Sequence, residues 1–242
     1  MSRSNTEQIT GLPQVIYEDN HLIAVNKRPG EIVQGDKTGD EPMSEFIKRW
    51  LKEKYSKPGA VFLGVIHRID RPVSGVVLFA KTGKCLERMN RMFRDKEVHK
   101  TYWAVVKNNP PEKEARMVRY LLKNERLNKS FAYVTPGENR MESTLDYQLI
   151  ASSSSYHLLE IKPHTGRHHQ IRVMLADMGC PIKGDLKYGF PRSNPDGSIH
   201  LHARAVRFVH PVSDAEITIT ADPPAGDPLW TFFREPNKTQ VP

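Results

Sequence analysis

Cysteine is nearly absent. Cys85 and Cys180 are the only two in 242 residues, too few for a disulfide framework, so a reducing, cytoplasmic setting is expected. Long apolar runs are missing too. Val76 to Ala80 is typical of the longest, far short of the ~20 residues that span a membrane as a helix. Met1 to Leu12 is polar and lacks the apolar core of a signal peptide. There is no phosphate loop, dinucleotide fingerprint or metal-type cysteine spacing, and no internal repeat or low-complexity tract. What remains is an ordinary folded composition, 38% apolar and 26% charged, with a mean hydropathy of −0.56. A chain of this length buries enough surface to fold without disulfides or metal.

Acid is the other scarce commodity, and its scarcity is local. The formal charge is +8, with 36 basic and 28 acidic residues, which favours polyanionic partners, nucleic acid first. Val61 to Lys84 carries Arg68, Arg71, Lys81 and Lys84 with one acid, Asp70. Ile161 to Ala176 carries Lys162, Arg167, Arg172, His164, His168 and His169 with no acid, and Ser198 to Pro211 carries Arg204, Arg207, His200, His202 and His210 with none. If these segments converge, they form a positive cleft in which Asp70 is the one candidate anion for chemistry.

Periodicity predicts strands over Gln14–Asp19, His21–Asn26, Val61–Ile66, Gly75–Lys81 and Val98–Lys107, several more between Ala115 and Lys162, and a final pair over His200–Val209 and Glu216–Thr220. Helices are expected over Pro42–Tyr55, Thr82–Asp95, Thr165–Met178 and Asp227–Phe233, with Gly179 as a left-handed stop. The fold class is therefore α+β: one domain with a large, mostly antiparallel sheet, flanking helices and a central cleft. The expected bounds are a tail over residues 1–12, the domain over 13–235 and a tail over 236–242.

Asp70 sits in Ile69-Asp70-Arg71-Pro72 between two apolar runs, a rigid mount for a reactive side chain. The alternative is a turn aspartate paired with Arg68 or Arg71. Thr165 can cap the helix it opens, whose free N–H groups attract anions. Arg172 borders the apolar face formed by Ile171 and Leu175. A buried guanidinium needs a carboxylate, and Asp70 is the natural one. Tyr102 and Trp103 point to opposite faces of one strand, so one belongs to the core and the other can line the cleft. His164 and His168, or His200 and His202, have spacings that suit zinc, but no acidic co-ligand lies in either segment and no metal is expected.

Several of these segments together resemble the RluA-type family of RNA pseudouridine synthases, from about Val15 to Phe233. The most specific block is His67-Arg68-Ile69-Asp70-Arg71 with Ser74-Gly75 and Ala80-Lys81. Asn26-Lys27 with Gly30, Lys100-Thr101-Tyr102, Thr165 to Arg172, Gly184-Asp185 with Tyr188-Gly189, Leu201-His202-Ala203 and His210-Pro211 follow in the family's order. Val73 stands where threonine is usual, Met174 where histidine is frequent, and His168 where threonine or serine is common. The resemblance implies isomerisation of uridine in ribosomal or transfer RNA to pseudouridine, with no cofactor. Asp70 would be the catalytic carboxylate, Tyr102 would stack on the base, and Arg172 would keep Asp70 charged and aimed. By the resemblance Arg68 would contact the RNA, and the acid-poor segments add Lys162, Arg167, His168 and His202 as expected RNA contacts. It also implies a flipped-out target base; a monomer is expected, and, with only about a dozen residues before the match, so is the absence of the small N-terminal RNA-binding module that many relatives carry. The competing readings are an RNA-binding protein without catalysis and an RNA hydrolase that uses the histidines.

Overall fold

The computed structural model describes residues 14–36 and 39–234. The tails expected over residues 1–12 and 236–242 lie outside the described residues. In chain order the elements are β1 (Gln14–Glu18), β2 (Leu22–Lys27), α1 (Met43–Lys54), β3 (Gly64–Val65), β4 (Ser74–Ala80), α2 (Gly83–Arg94), β5 (His99–Val106), β6 (Glu114–Asn124), β7 (Lys129–Tyr133), β8 (Met141–Ser152), β9 (His157–Pro163), α3 (Gln170–Asp177), a 3-10 turn (Leu186–Tyr188), β10 (Leu201–Val209), β11 (Glu216–Thr220) and α4 (Pro228–Phe233). No helix among the described residues is long and apolar enough to cross a membrane.

The strands form one 11-stranded sheet in the order β1-β2-β4-β10-β5-β9-β8-β6-β7, with β11 on β10 and β3 on β4. The pairings are antiparallel except β4 with β10, which run parallel and meet at Ser74–His202 and Gly75–Ala203. This short parallel contact is the seam between two halves of the sheet. Gly75 makes the seam close. Its φ is +116°, and a Cβ there would lie 2.2 Å from the Ala203 carbonyl oxygen, so only glycine fits.

In the first half β4 is buried along its whole length, because helices cover both of its faces. α1 lays Met43, Ile47 and Leu51 on Val77 and Phe79, while α2 lays Cys85, Met89 and Met92 on Val76 and Leu78. Each such buried apolar side chain contributes roughly 1.5–3 kcal/mol. Thr82 starts α2 by accepting the Cys85 N–H at 3.3 Å, as its cap spacing predicts. In the second half α3 packs Ile171, Val173, Met174 and Leu175 against Leu145, Leu159 and Ile161. The opposite face of the same strands is covered by Trp230 and Phe233 of α4. Asp227 caps α4, accepting the N–H groups of Leu229 and Trp230 at 2.9 Å.

Two sequence expectations need correction. The strand expected over Val61–Ile66 shrinks to Gly64–Val65. One edge of β4 must serve β10 at Ser74 and Gly75 and β3 at Phe79 and Ala80, so β3 has room for two residues. The helix expected from Thr165 begins at Gln170. His169 is left-handed, with φ 55° and ψ 23°, which cannot continue a helix toward Thr165. Thr165 is not its cap. The Thr165 hydroxyl accepts the Thr144 N–H at 3.0 Å and donates to Gln170 Oε1 at 2.7 Å, and Gln170 Oε1 also accepts the Arg167 N–H at 3.1 Å. The N–H of Arg167, one of those expected to attract an anion, is thus already engaged.

Candidate active site

Asp70 lies in the loop that joins β3 to β4, and the loop is fixed through its carbonyls. The Val73 N–H closes a turn onto the Asp70 carbonyl at 3.0 Å, the Gly30 N–H reaches the Arg71 carbonyl at 2.8 Å, and the Ile199 N–H reaches that of Pro72 at 3.1 Å. The buried Lys27 ammonium donates to the carbonyls of Arg28 at 2.8 Å and Arg71 at 3.0 Å. Burial lowers the Lys27 pKa to about 7, against the opposing charges of Glu31 and Asp70. At the head of the loop, His67 Nε2 accepts the Leu78 N–H at 3.1 Å. Burial, with the Lys100 charge, lowers its pKa to about 3, so it serves as a neutral acceptor.

The Asp70 carboxylate meets α3. Arg172 Nη1 donates to Asp70 Oδ2 at 2.8 Å. The same guanidinium is gripped from behind by Asp185, with Nε on Oδ2 at 2.7 Å and Nη2 on Oδ1 at 2.9 Å. The Arg172 and Asp185 side chains are 6% and 1% exposed, that of Asp70 30%. Burial works against the arginine's charge, and the bonds and charges of Asp185 and Asp70 outweigh it, so Arg172 is held above its ordinary range. It is a cation in every condition the fold survives. The Tyr188 ring lies beneath it at 5.2 Å. The alternative pairing of Asp70 with Arg71 does not form, because Arg71 Nη2 pairs with Asp40 at 2.6 Å.

Tyr102 and Trp103 divide as strand alternation requires. Trp103 packs toward α4, and Tyr102 stands on the α3 side of β5. The Tyr102 phenol is pushed well up by burial and by the Asp70 charge, so it stays protonated. His169 completes the constellation, with Nε2 at 3.5 Å from Asp70 Oδ2. Arg68 and Arg167 are exposed, each two residues from a side chain of the site. His168 stacks on His169 at 3.7 Å and is bound by Ser130 Oγ at 2.9 Å and Asn128 Oδ1 at 3.1 Å.

Two of the expected RNA contacts are elsewhere. His202 is fully buried in the seam. Its Nε2–H donates to the Ala221 carbonyl at 3.0 Å, so its Nδ1 accepts the Ser74 hydroxyl at 2.8 Å. Burial lowers its pKa to about 4. It is a structural pin between β4 and β10, with no edge left for RNA. Lys162 follows Glu160 on β9, two residues apart and on the face opposite Ile161, and it pairs with Glu160 at 3.1 Å. Alternation along the strand therefore carries it away from Asp70. His200 and His210 are buried as well, held by Asp227 at 3.1 Å and Asp19 at 2.9 Å, so of the histidines that a hydrolase would need, His202 and His210 are engaged in the fold and His168 alone stands beside Asp70.

The sequence reading missed Asp185, His169 and Lys27. It took Asp70 as the one anion for Arg172, whereas a guanidinium this deep binds two carboxylates. The available signals were Asp185 in its own motif block, a lysine closing the apolar strand Leu22–Lys27, and a histidine at the foot of the arginine helix.

A family model described as RNA pseudouridylate synthase matches residues 21–177. Ribosomal large subunit pseudouridine synthase C of Vibrio cholerae serotype O1 is 35% identical over 214 residues, which cover 86% of this chain and 64% of that protein. The chain thus spans slightly less than two-thirds of that relative. tRNA pseudouridine synthase C of Haemophilus influenzae is 31% identical over 226 residues, which cover 86% of this chain and 92% of the relative. Among solved structures, human RNA pseudouridylate synthase domain containing 4 superposes with a TM-score of 0.76 at 22% identity, covering 95% of this chain and 94% of that one, and so shares the fold. The matched residues 21–177 run from β2 to the end of α3 and hold Asp70, Tyr102 and Arg172 together, and on that extent of sequence and shared architecture the chain belongs to the RluA-type RNA pseudouridine synthase family.

Proposed function

We propose that this protein isomerises specific uridines in structured RNA, ribosomal or transfer, to pseudouridine, with Asp70 as the catalytic carboxylate. The observation that carries the reading is the mounting of Asp70: a loop with three consecutive carbonyls bonded, and a carboxylate held by a permanently charged arginine at 2.8 Å. In the reaction the base leaves the ribose, turns and rejoins through carbon. Asp70 acts as nucleophile or as acid–base group. Arg172 keeps it ionised and aimed, and Tyr102 stacks on the flipped base, since the uridine must leave its helix to reach this site. Arg68, Arg167 and His168 contact the RNA beside the site. The names of the relatives point to both ribosomal and transfer RNA. Residues 13–235 form the catalytic unit, and a monomer working in the cytoplasm suits two cysteines that are both buried free thiols.

The test is to map pseudouridine in ribosomal and transfer RNA from cells with and without the gene. Deletion is expected to remove it at defined positions. The wild-type gene should restore those positions and Asp70→Asn should not. An unchanged map, or full restoration by Asp70→Asn, overturns the proposal.

A further inference from the structure

The Asp70 carboxylate is not used symmetrically. Arg172 Nη1 at 2.8 Å and His169 Nε2 at 3.5 Å both approach Oδ2. Oδ1 receives no protein donor among the described residues. One oxygen is therefore anchored and the other is free of protein donors among the described residues.

His169 is held from the other side. Its Nδ1 lies 2.8 Å from the Tyr188 hydroxyl, which accepts the Ser130 N–H at 2.9 Å. With that acceptor site filled, the tyrosine proton has His169 Nδ1 as its acceptor. Nδ1 is then unprotonated, and the ring's own proton is on Nε2, pointing at Asp70. The opposite tautomer would leave the tyrosine proton without a partner and turn a nitrogen lone pair toward a carboxylate. The groups around the ring are Asp70, Arg172, His168 stacked at 3.7 Å, Lys187 and Tyr188. Burial lowers the His169 pKa to about 3, with Arg172, His168 and Lys187 aiding and Asp70 opposing, so the ring is neutral. Its left-handed backbone, φ 55°, is a conformation that a histidine holds only where its surroundings enforce it.

We propose that His169 is a positioning residue for Asp70: the Tyr188 hydroxyl fixes it as the Nε2–H tautomer, and this N–H and Arg172 together anchor Oδ2, so that Oδ1 is the oxygen offered to the uridine. The proposal rests on Asp70 being the catalytic carboxylate. At 3.5 Å the N–H is aimed at Oδ2 without a formed hydrogen bond, and catalytic hydrogen bonds are often long until substrate is bound.

Two measurements test it. The first needs no activity. Protein labelled with ¹⁵N-histidine, with the His169 signals assigned by their loss in His169→Asn, should show an Nε2–H imidazole from pH 5 to pH 8. Tyr188→Phe should release it to a mixture of tautomers. An Nδ1–H or doubly protonated ring in the wild type overturns the proposal. The second uses single-turnover pseudouridine formation on total RNA from the deletion strain. His169→Asn suits the left-handed backbone but cannot reach Asp70. Its rate should fall about 10- to 100-fold and its acid limb should move to higher pH, with RNA binding and melting temperature unchanged. His169→Gln places an amide N–H near the former Nε2 and should recover most of the rate and the wild-type limb. Equal losses in both variants, or none in His169→Asn, overturn the proposal. An inactive wild type would instead sink the reading of Asp70, while the tautomer still reports on His169.

Discussion

Two clusters of aspartate, arginine and histidine lie on opposite sides of the same sheet. On the α3 side are Asp70, Arg172 and His169, backed by Asp185. On the other face are Asp146, Arg116 and His164. Arg116 binds Asp146 through Nε on Oδ1 at 2.7 Å and Nη2 on Oδ2 at 3.0 Å, and His164 Nε2 takes Oδ2 at 2.7 Å. The residue types are the same and the arginine contacts are as short, although His169 stands 3.5 Å from Asp70 where His164 is 2.7 Å from Asp146. What differs is the burial of the cation and the engagement of the anion. Arg116 is 64% exposed and Arg172 6%. Both oxygens of Asp146 are tied, and the bonds from Arg116 lower its pKa to about 2. Asp70 keeps one oxygen open, beside a cation that has nowhere else to go. A charged triad is thus no mark of chemistry by itself. Desolvation of the cation and an oxygen free of protein donors are what set the proposed site apart.

The largest difference between the clusters should be catalytic. Asp70→Asn removes the proposed catalytic carboxylate, and pseudouridine formation should fall by at least about 10²–10⁴-fold while RNA binding persists. Asp146→Asn should leave the rate within about twofold, since an exposed pair contributes little. Single-turnover rates on the same RNA decide. Comparable losses would erase the distinction drawn here.

Stability should separate the arginines next. Arg172→Ala strands Asp185 at 1% exposure and should cost about 3–5 kcal/mol. Arg116→Ala should cost less than about 1 kcal/mol. Arg172→Lys keeps one charge but loses the two-pronged grip on Asp185, and should fall between wild type and Arg172→Ala in both stability and rate. Urea denaturation of the three variants measures this. Restoring the fold with Arg172→Met and Asp185→Leu together should not restore activity, because Asp70 would still lack its cation.

Much of this was legible before any coordinates. β4 announces itself as five consecutive apolar residues, and α2 as a capped amphipathic repeat. The Asp70–Arg172 pair followed from two local facts, a lone acid in a basic segment and an arginine on an apolar helix face. The failures share a cause. Counting acids along a segment is one-dimensional, whereas β9 sends Ile161 and Lys162 to opposite faces. The same arithmetic could not see that His202 would be consumed by Ser74 and Ala221, because those partners come from β4 and from beyond β11. The late start of α3 goes with a left-handed His169 whose ring is bound by Tyr188 of the distant 3-10 turn, a contact that no local propensity encodes.

Lys27 gives a pH-dependent test of how the Asp70 loop is held. Its pKa is lowered from 10.5 to about 7 in the folded chain. Between these values the unfolded chain binds the extra proton, so stability rises with pH across that window. Below about 7 both states are charged and the dependence vanishes. Wild type should therefore gain stability relative to Lys27→Met from pH 7 to pH 10. Parallel curves for the two proteins would mean that Lys27 keeps its ordinary pKa, charged and solvated in the folded chain.

The smallest effect tests the two sides of the sheet as RNA surfaces. Each phosphate contact adds about 0.7–0.9 to the slope of log affinity against log salt. Arg167 is exposed and two residues from His169, so Arg167→Ala should flatten the slope by about one contact. Arg68→Ala should do the same from the Asp70 loop. Lys162 carries the same charge on the opposite face, paired with Glu160 at 3.1 Å, and Lys162→Ala should leave the slope as it is. Net charge changes equally in Arg167→Ala and Lys162→Ala, so a general loss of positive field would affect them alike. A lower slope for Arg167→Ala with none for Lys162→Ala places the RNA on the α3 side. An equal drop in both would mean that the slope reports the overall positive field and not an RNA path confined to the α3 side.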